Sequence, residues 1–390
     1  MKYFIIAGEA SGDLHASNLM HKIKRKDKNA EFCFLGGDLM AAHGGTIVKH
    51  YRDMAFMGFI AVIKNANTIK ANMEACKQAI SDFRPDVLIL VDYPSFNLRM
   101  ARFAKENFNI PIYYYISPKV WAWKKFRVRS IKRYIDRMFT ILPFETEFYA
   151  KRRYKVEYVG NPSVDSVYKR PNKEQTMEEF CYVNNLSPKP IIALLPGSRR
   201  QEIESCLLKM LESSERFTDY QVVVSGAPGI EPEFYKTVLK NKEIQLVFGQ
   251  TYELLQQASV AVVNSGTATL ETALIGAPEV VVYHVAFGRL ASLLKKLFIR
   301  VKYVSLVNLI AQKEIVKELV AHQFTTGNLT FELEMILRND TYRQTMLNAY
   351  ADIRKKLGKP GAAENAAKSI VKYLRIDMRK KSSKPKVLVT

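Results

Sequence analysis

Four short stretches of the sequence carry the residue types that hold phosphate or move protons, and each lies between an apolar run and a helix-like pattern. The first, Gly8-Glu9-Ala10-Ser11-Gly12-Asp13, has the small residues that let backbone N–H groups approach a ligand at a helix start. It is not the GxGxxG dinucleotide fingerprint, because the glycine spacing differs and Glu9 would repel a pyrophosphate. A tight turn with Asp13 as helix N-cap reads equally well. In the second stretch, Asp92 ends the apolar run Val87–Val91. Partial burial there raises a carboxylate's pKa and suits a general base, while capping the next helix is the plainer role. The third, Leu195-Pro196-Gly197-Ser198-Arg199, offers donors from Gly197 and Ser198, with Arg199 as a cation for a phosphate or a sugar-linked oxygen. The fourth, Ser265-Gly266-Thr267-Ala268-Thr269, leaves room for a diphosphate on free N–H groups, hydroxyls and a helix dipole. Glu271 falls in the first turn of the helix that follows, placed to accept from the two hydroxyls of a ribose or, more simply, to suit the dipole. Without Gly-Lys-[Ser/Thr] this is no P-loop, which disfavours ATP hydrolysis.

Other features are less specific. Trp121 and Trp123 sit in Ser117-Pro118-Lys119-Val120-Trp121-Ala122-Trp123, followed by Lys124, Lys125, Arg127, Arg129, Lys132, Arg133 and Arg137. Aromatic groups amid cations suit a nucleic-acid surface, an interfacial belt or a phosphosugar site. Leu290, Leu293, Leu294, Leu297, Phe298 and Val301 fall at helical spacing among basic residues, a pattern that fits an anionic membrane interface or a core-facing helix. Phe56–Ile63 is a second apolar stretch. The six histidines form no metal-binding pair and the four cysteines no CxxC, so neither a metal nor a cofactor is expected, and a reducing cytoplasm fits.

The elements that must place these turns alternate from the first residue. Apolar runs of strand length, Tyr3–Ala7, Phe32–Leu35, Val87–Val91, Ile110–Ile116, Met138–Leu142 and Val156–Val159, are separated by helical patterns. That is the rhythm of a doubly wound parallel sheet. It breaks in the Pro- and Asn-rich stretch 170–190 and restarts with Ile191–Leu195, Gln221–Val224, Ile244–Phe248, Val260–Val263 and Val280–Tyr283. The expectation is two Rossmann-like domains, 1–170 and 171–335, then helices 336–374 and a basic tail 375–390, with the four turns facing a cleft at the carboxyl ends of both sheets. The 390 residues suit two cores rather than one. Lys and Arg number 59 against 38 Asp and Glu, a net +21 that draws the chain toward phosphates, nucleic acid or anionic lipid. No stretch is apolar for long enough to span a bilayer.

Together these motifs, with Leu142-Pro143-Phe144-Glu145 and Tyr303-Val304-Ser305-Leu306-Val307-Asn308-Leu309-Ile310-Ala311, resemble the lipid-A-disaccharide synthase family over nearly the whole chain. The resemblance implies a GT-B fold: two tandem Rossmann-like domains with C-terminal helices that cross back or swap in a homodimer. It implies an inverting glycosyltransferase of lipid A and lipopolysaccharide biosynthesis in Gram-negative bacteria, joining UDP-2,3-diacylglucosamine to 2,3-diacylglucosamine 1-phosphate (lipid X) with release of UDP. By matching position, Asp92 becomes the base for the acceptor 6-hydroxyl, with Glu9 as a second catalytic carboxylate. Ser11, Asp13, Trp121 and Trp123 take the acceptor side. Gly197, Ser198, Arg199, Ser265, Gly266, Thr267, Ala268, Thr269 and Glu271 hold the UDP-sugar, with Asn308 near the donor. The implied location is cytoplasmic and peripheral, on the inner face of the inner membrane. Three positions depart from the family pattern: Asn161 where histidine is common, Val307 where proline is usual, and Ala61 where glutamate is common. The nearest rival is another GT-B UDP-sugar enzyme, a polyprenyl-linked N-acetylglucosaminyltransferase or a UDP-sugar epimerase. A non-catalytic nucleic-acid binder would need no Arg199–Glu271 constellation, so no nucleic-acid partner is expected.

Overall fold

The computed structural model describes residues 1–54, 66–108, 110–122, 126–240, 242–284 and 302–382. Trp123, Ala61, the stretch Phe56–Ile63 and the pattern Leu290–Val301 lie outside the described residues. The chain forms two compact units, Met1–Pro162 joined by Lys359–Thr390, and Ser163–Gly358.

In the first unit the strands β1 (Lys2–Ala7), β2 (Glu31–Gly36), β3 (Thr46–His50), β4 (Val87–Val91), β5 (Ile112–Tyr115), β6 (Arg137–Thr140) and β7 (Glu157–Tyr158) form a parallel sheet in the order β3-β2-β1-β4-β5-β6-β7. Helices α1 (Ala10–Lys26), α2 (Asp38–Ala41), α3 (Ala66–Phe83), α4 (Pro94–Phe108), α5 (Arg127–Tyr134) and α6 (Pro143–Ala150) connect them. The unbroken apolar run of β1 follows from cover on both faces. Tyr3, Ile5 and Ala7 pack with Leu19, Met20 and Ile23 of α1. Phe4 and Ile6 pack on the opposite side with Ile80 of α3 and Met100 of α4. β1 pairs with β2 on one side and β4 on the other, both parallel, so the order in which strands are added reverses between β1 and β4. The turns after those two strands carry Gly8–Asp13 and Asp92, which puts both motifs at the switch point where open α/β sheets bind ligands.

The second unit repeats the device. Helices α7 (Pro162–Lys169) and α8 (Met177–Val183) lead into β8 (Ile191–Leu195), α9 (Arg200–Ser214), β9 (Gln221–Gly226), α10 (Pro232–Val238), β10 (Gln245–Phe248), α11 (Thr251–Gln257), β11 (Ala258–Asn264), α12 (Thr267–Ile275) and β12 (Glu279–Tyr283). Then come α13 (Leu306–Ala311), β13 (Glu318–Val320), α14 (Thr326–Arg338) and α15 (Asp340–Leu357). The strand order is β10-β9-β8-β11-β12-β13, all parallel, and the switch lies between β8 and β11. The turns after those strands are Pro196–Arg199 and Ser265–Gly266.

The last helix, α16 (Ala362–Ser382), belongs to the first unit. Its apolar side, Ala366, Ala367, Ile370, Val371 and Leu374, fills the same core face as α1. Polar ties fix its register: Tyr373 Oη donates to Glu157 Oε2 at 3.1 Å, Tyr113 Oη to Asp377 Oδ2 at 2.7 Å, and Asn365 Nδ2 to Val159 O at 3.1 Å.

Several boundaries differ from the sequence expectation. The first division falls at Pro162/Ser163 rather than at 170, because the polar stretch beyond it is anchored in the second unit: Arg170 donates to Gln256 Oε1 and Asn172 Nδ2 to Glu253 Oε1. Residues 336–357 stay with the second unit, and only the segment from Lys359 returns to the first. Arg375–Ser382 continue α16 instead of starting a tail, tied by Asp377 and by Arg375 Nη2 donating to Lys26 O. β13 is absent from the strand-length apolar runs of the sequence; three residues are too few to show a period, and pairing with β12 makes them a strand.

Candidate functional site

At the switch point of the first unit, α1 starts earlier than the motif suggests, at Ala10, with Glu9 as its N-cap residue in extended conformation. Ser11 is therefore exposed in the first turn of the helix. Gly8 is required by packing: a β-carbon there would lie 2.3 Å from Cδ1 of the Tyr93 ring. The half-buried Glu9 stands close enough to Tyr93 for its charge, after burial, to push that phenol's pKa up. With Glu9 as the N-cap residue, Asp13 does not cap its own helix. Its buried carboxylate accepts from the N–H groups of Gly37 (2.8 Å), Leu39 (3.2 Å) and Met40 (3.2 Å), stapling α1 to the start of α2.

Asp92 follows the wholly buried β4 and is half-buried. Burial raises its pKa above the ordinary carboxylate range, against the opposing pull of the exposed Lys119 ammonium and of a hydrogen bond from the Tyr93 N–H. A carboxylate raised in this way accepts a proton more readily than an ordinary one, which suits a general base. Asn97 Nδ2 donates to Asp92 O at 2.7 Å, and the Tyr114 hydroxyl donates to the same carbonyl.

Trp121 is buried, its Nε1 donating to Glu145 Oε1 at 3.2 Å and its ring edge-on to Phe144 at 5.0 Å. Glu145 also accepts from the N–H groups of Leu142 (3.1 Å) and Ile141 (3.3 Å). Burial pushes its pKa up to about 7, and those hydrogen bonds oppose the rise. Trp121 thus braces the loop after β5. Glu145 was visible in the sequence only as part of a motif, and its pairing with Trp121 was not. Asn161, where histidine is common in the family pattern, is buried and donates to Ile141 O at 3.0 Å.

In the second unit, Gly197 has φ +127°, and a β-carbon on it would meet Glu202 Oε2 at 2.5 Å and Asn264 Nδ2 at 2.9 Å. Glu202, unmarked by the sequence reading, accepts from Ser198 N at 3.0 Å and Arg199 Nη1 at 3.3 Å. It shapes the loop while leaving the Ser198 side chain and Arg199, which is 60% exposed, at the surface. Across the switch point, Gly266 is the N-cap residue of α12 and no side chain caps that helix. Exposed Gly266 and Thr267 stand at its start, Thr269 Oγ1 donates back to Gly266 O at 2.9 Å, and Ser265 Oγ donates to Val304 O at 3.2 Å. An uncapped N-terminus with small residues favours an anion. Glu271, one turn on, has its pKa raised by burial while the hydroxyls of Tyr252 and Ser163 donate to it.

Asn308 is built in. It is fully buried, its Oδ1 accepts from Ile315 N (2.7 Å) and Val316 N (3.1 Å), and its Nδ2 donates to Val316 O (2.8 Å) and Glu318 Oε1 (2.9 Å). Glu318 on β13 gathers the loop further, accepting from Val304 N, Ser305 N and Ser305 Oγ. The amide has no capacity left for a sugar, so Asn308 shapes the loop that meets Ser265. No signal in a three-residue strand pointed to Glu318.

Two parallel, doubly wound units, each with its motif-bearing turns at the switch point of its sheet, have the architecture of the GT-B class, shared by sugar-nucleotide transferases and epimerases. Among solved structures, a UDP-GlcNAc 2-epimerase from Neisseria meningitidis bound to UDP-GlcNAc aligns with TM-score 0.64 at 15% identity, covering 96% of this chain and 100% of that one. A calicheamicin glycosyltransferase aligns with TM-score 0.55 at 13% identity, covering 96% and 98%. At that identity the likeness speaks to the fold. The sequence goes further: a family model described as lipid-A-disaccharide synthetase matches residues 3–372. The chain is 36% identical to the lipid-A-disaccharide synthases of Syntrophus aciditrophicus, over 93% of this chain and 95% of that one, and of Myxococcus xanthus, over 96% and 97%. The chain belongs to the lipid-A-disaccharide synthase family, glycosyltransferases of lipid A biosynthesis, and the epimerase alternative is not favoured.

Proposed function

We propose that the enzyme joins UDP-2,3-diacylglucosamine to lipid X, giving the β-1,6-linked disaccharide 1-phosphate and UDP with inversion. The observation that carries the reading is Asp92, a desolvated carboxylate at the switch point of the first unit. The acceptor 6-hydroxyl oxygen attacks the anomeric carbon of the donor as the C1–O bond to the diphosphate breaks. The proton passes to the Asp92 carboxylate and the bonding pair leaves with UDP. Glu9 and Ser11 take the acceptor side, near Tyr93 and at the open start of α1. Asp13 and Trp121 support that side from within the unit.

In the second unit the α12 N-terminus takes the diphosphate, aided by Gly197, Ser198, Arg199 and the Ser265–Thr269 turn, and Glu271 takes the ribose hydroxyls. Stabilisation of the leaving diphosphate then comes from N–H groups, a helix dipole and a guanidinium, with no metal required. Acylated substrates reside in a bilayer leaflet, and the +21 charge suits an anionic surface. We place the protein peripherally on the inner face of the inner membrane; among the described residues no helix is long and apolar enough to cross it.

The test is incubation of purified protein with both lipids in detergent micelles and EDTA, following disaccharide 1-phosphate and UDP by mass spectrometry. Both products are expected. UDP binding without either product would sink the substrate assignment.

A further inference from the structure

Asp92 and Tyr93 are consecutive non-glycine residues in the left-handed region, with φ +44° and +45°, and Tyr93 directly precedes Pro94. Residues with a β-carbon avoid that region, and a following proline restricts the backbone further, so two in succession persist only where the surroundings over-determine them. Here the Asp92 carbonyl is held twice, by Asn97 Nδ2 at 2.7 Å and by the Tyr114 hydroxyl. Asn97 Nδ2 also reaches Val91 O at 3.3 Å. On the other side the Tyr93 hydroxyl donates to Met54 O at 3.0 Å, and its ring fills the space that Gly8 leaves open.

Both clamping side chains are fully buried. Among the described residues Asn97 Oδ1 has no hydrogen-bond partner. A buried amide that leaves its acceptor unpaired is costly, and what it obtains here is the grip of its donor on the Val91–Asp92 backbone.

We propose that Tyr114 and Asn97 are positioning residues for transfer: by clamping the Asp92 carbonyl they hold the left-handed turn that presents the Asp92 carboxylate, with Gly8 admitting the Tyr93 ring behind it. The inference rests on Asp92 being the base. A merely structural clamp would affect stability alone, whereas a positioning clamp sets the reach of the carboxylate and how far water is kept from it.

The experiment compares wild type, Tyr114→Phe and Gly8→Ala in the micellar transfer assay with UDP-2,3-diacylglucosamine and lipid X across pH. UDP affinity and melting temperature are measured alongside. Tyr114→Phe removes one hydroxyl from a buried site and keeps the ring. It should lower kcat roughly tenfold to a hundredfold, the scale of a small misplacement of a reacting group. UDP affinity should stay at the wild-type value, and the acid limb of kcat/KM should move to lower pH as the loosened carboxyl gains water. Gly8→Ala, which forces the Tyr93 ring to shift, should act in the same direction. Wild-type kcat with an unmoved acid limb in Tyr114→Phe would overturn the inference alone. So would a loss of kcat matched by equal losses of UDP affinity and melting temperature. Absence of product from wild type would overturn the base assignment and this inference together.

Discussion

Burial raises the pKa of Asp92, and the Lys119 charge and the hydrogen bond from the Tyr93 N–H oppose the rise. A base works only when deprotonated, so transfer should fall as pH drops through a value above the ordinary carboxylate range. Lys119→Met removes the opposing cation, so the acid limb of kcat/KM should move upward by a fraction of a pH unit. A downward move would mean that Lys119 does not act on Asp92. Glu279 offers a contrasting test. Its carboxyl oxygens are buried without a hydrogen-bond partner among the described residues, and burial, then the Glu318 charge, raise its pKa well above the ordinary range. With the folded pKa above the unfolded one, the carboxyl's contribution is full below the unfolded value and is lost as pH rises through the folded value. Glu279→Gln should therefore unfold at higher denaturant than wild type at pH ~8 and at nearly equal denaturant at pH ~4, below the unfolded value. A gap independent of pH would contradict this. The placement of Asp92 and of the four turns at strand ends was legible because two-sided apolar runs mark where the strands stop; the backbone contacts of Asp13, Asn308 and Glu202 were not, because a side chain that braces backbone has the same residue type as one that binds a ligand.

Two glycines separate shape from binding among the elements. Gly266 is extended at φ 179°, and a β-carbon there has 4.0 Å to its nearest neighbour, so alanine fits the protein. The added methyl would stand at the open end of α12, where the diphosphate is proposed to lie. Gly266→Ala should leave the melting temperature unchanged and weaken UDP about tenfold or more by calorimetry, since displaced helix-terminus contacts cost that scale. Gly197→Ala should destabilise the fold as well, because φ +127° and the clash with Glu202 both oppose it. Unchanged UDP affinity in Gly266→Ala would remove the diphosphate from α12. The strands flanking these turns were legible as two-sided apolar runs. The edge strands β3 and β13 were not, since β3 (Thr46-Ile47-Val48-Lys49-His50) carries only two adjacent apolar residues and β13 has three residues in all, and each gains its conformation from pairing with β2 and β12.

For the whole molecule, the path of the C-terminus sets what can be removed. A chain ending after Gly358 lacks α16 and opens the core that Ala366, Ala367, Ile370, Val371 and Leu374 complete together with α1. It should express as aggregate or lose its cooperative melt. Soluble, cooperatively melting protein from the shorter chain would contradict the packing of α16. The central claim is a division of labour, with proton abstraction by Asp92 in the first unit and nucleotide binding by Glu271 and its neighbours in the second. Its most direct test measures kcat and UDP affinity together for Asp92→Asn and Glu271→Ala. The account predicts a kcat loss of about a thousandfold with intact UDP binding for the first, on the scale of a lost general base, and weakened UDP binding for the second. Equal losses of UDP affinity in both variants would contradict it.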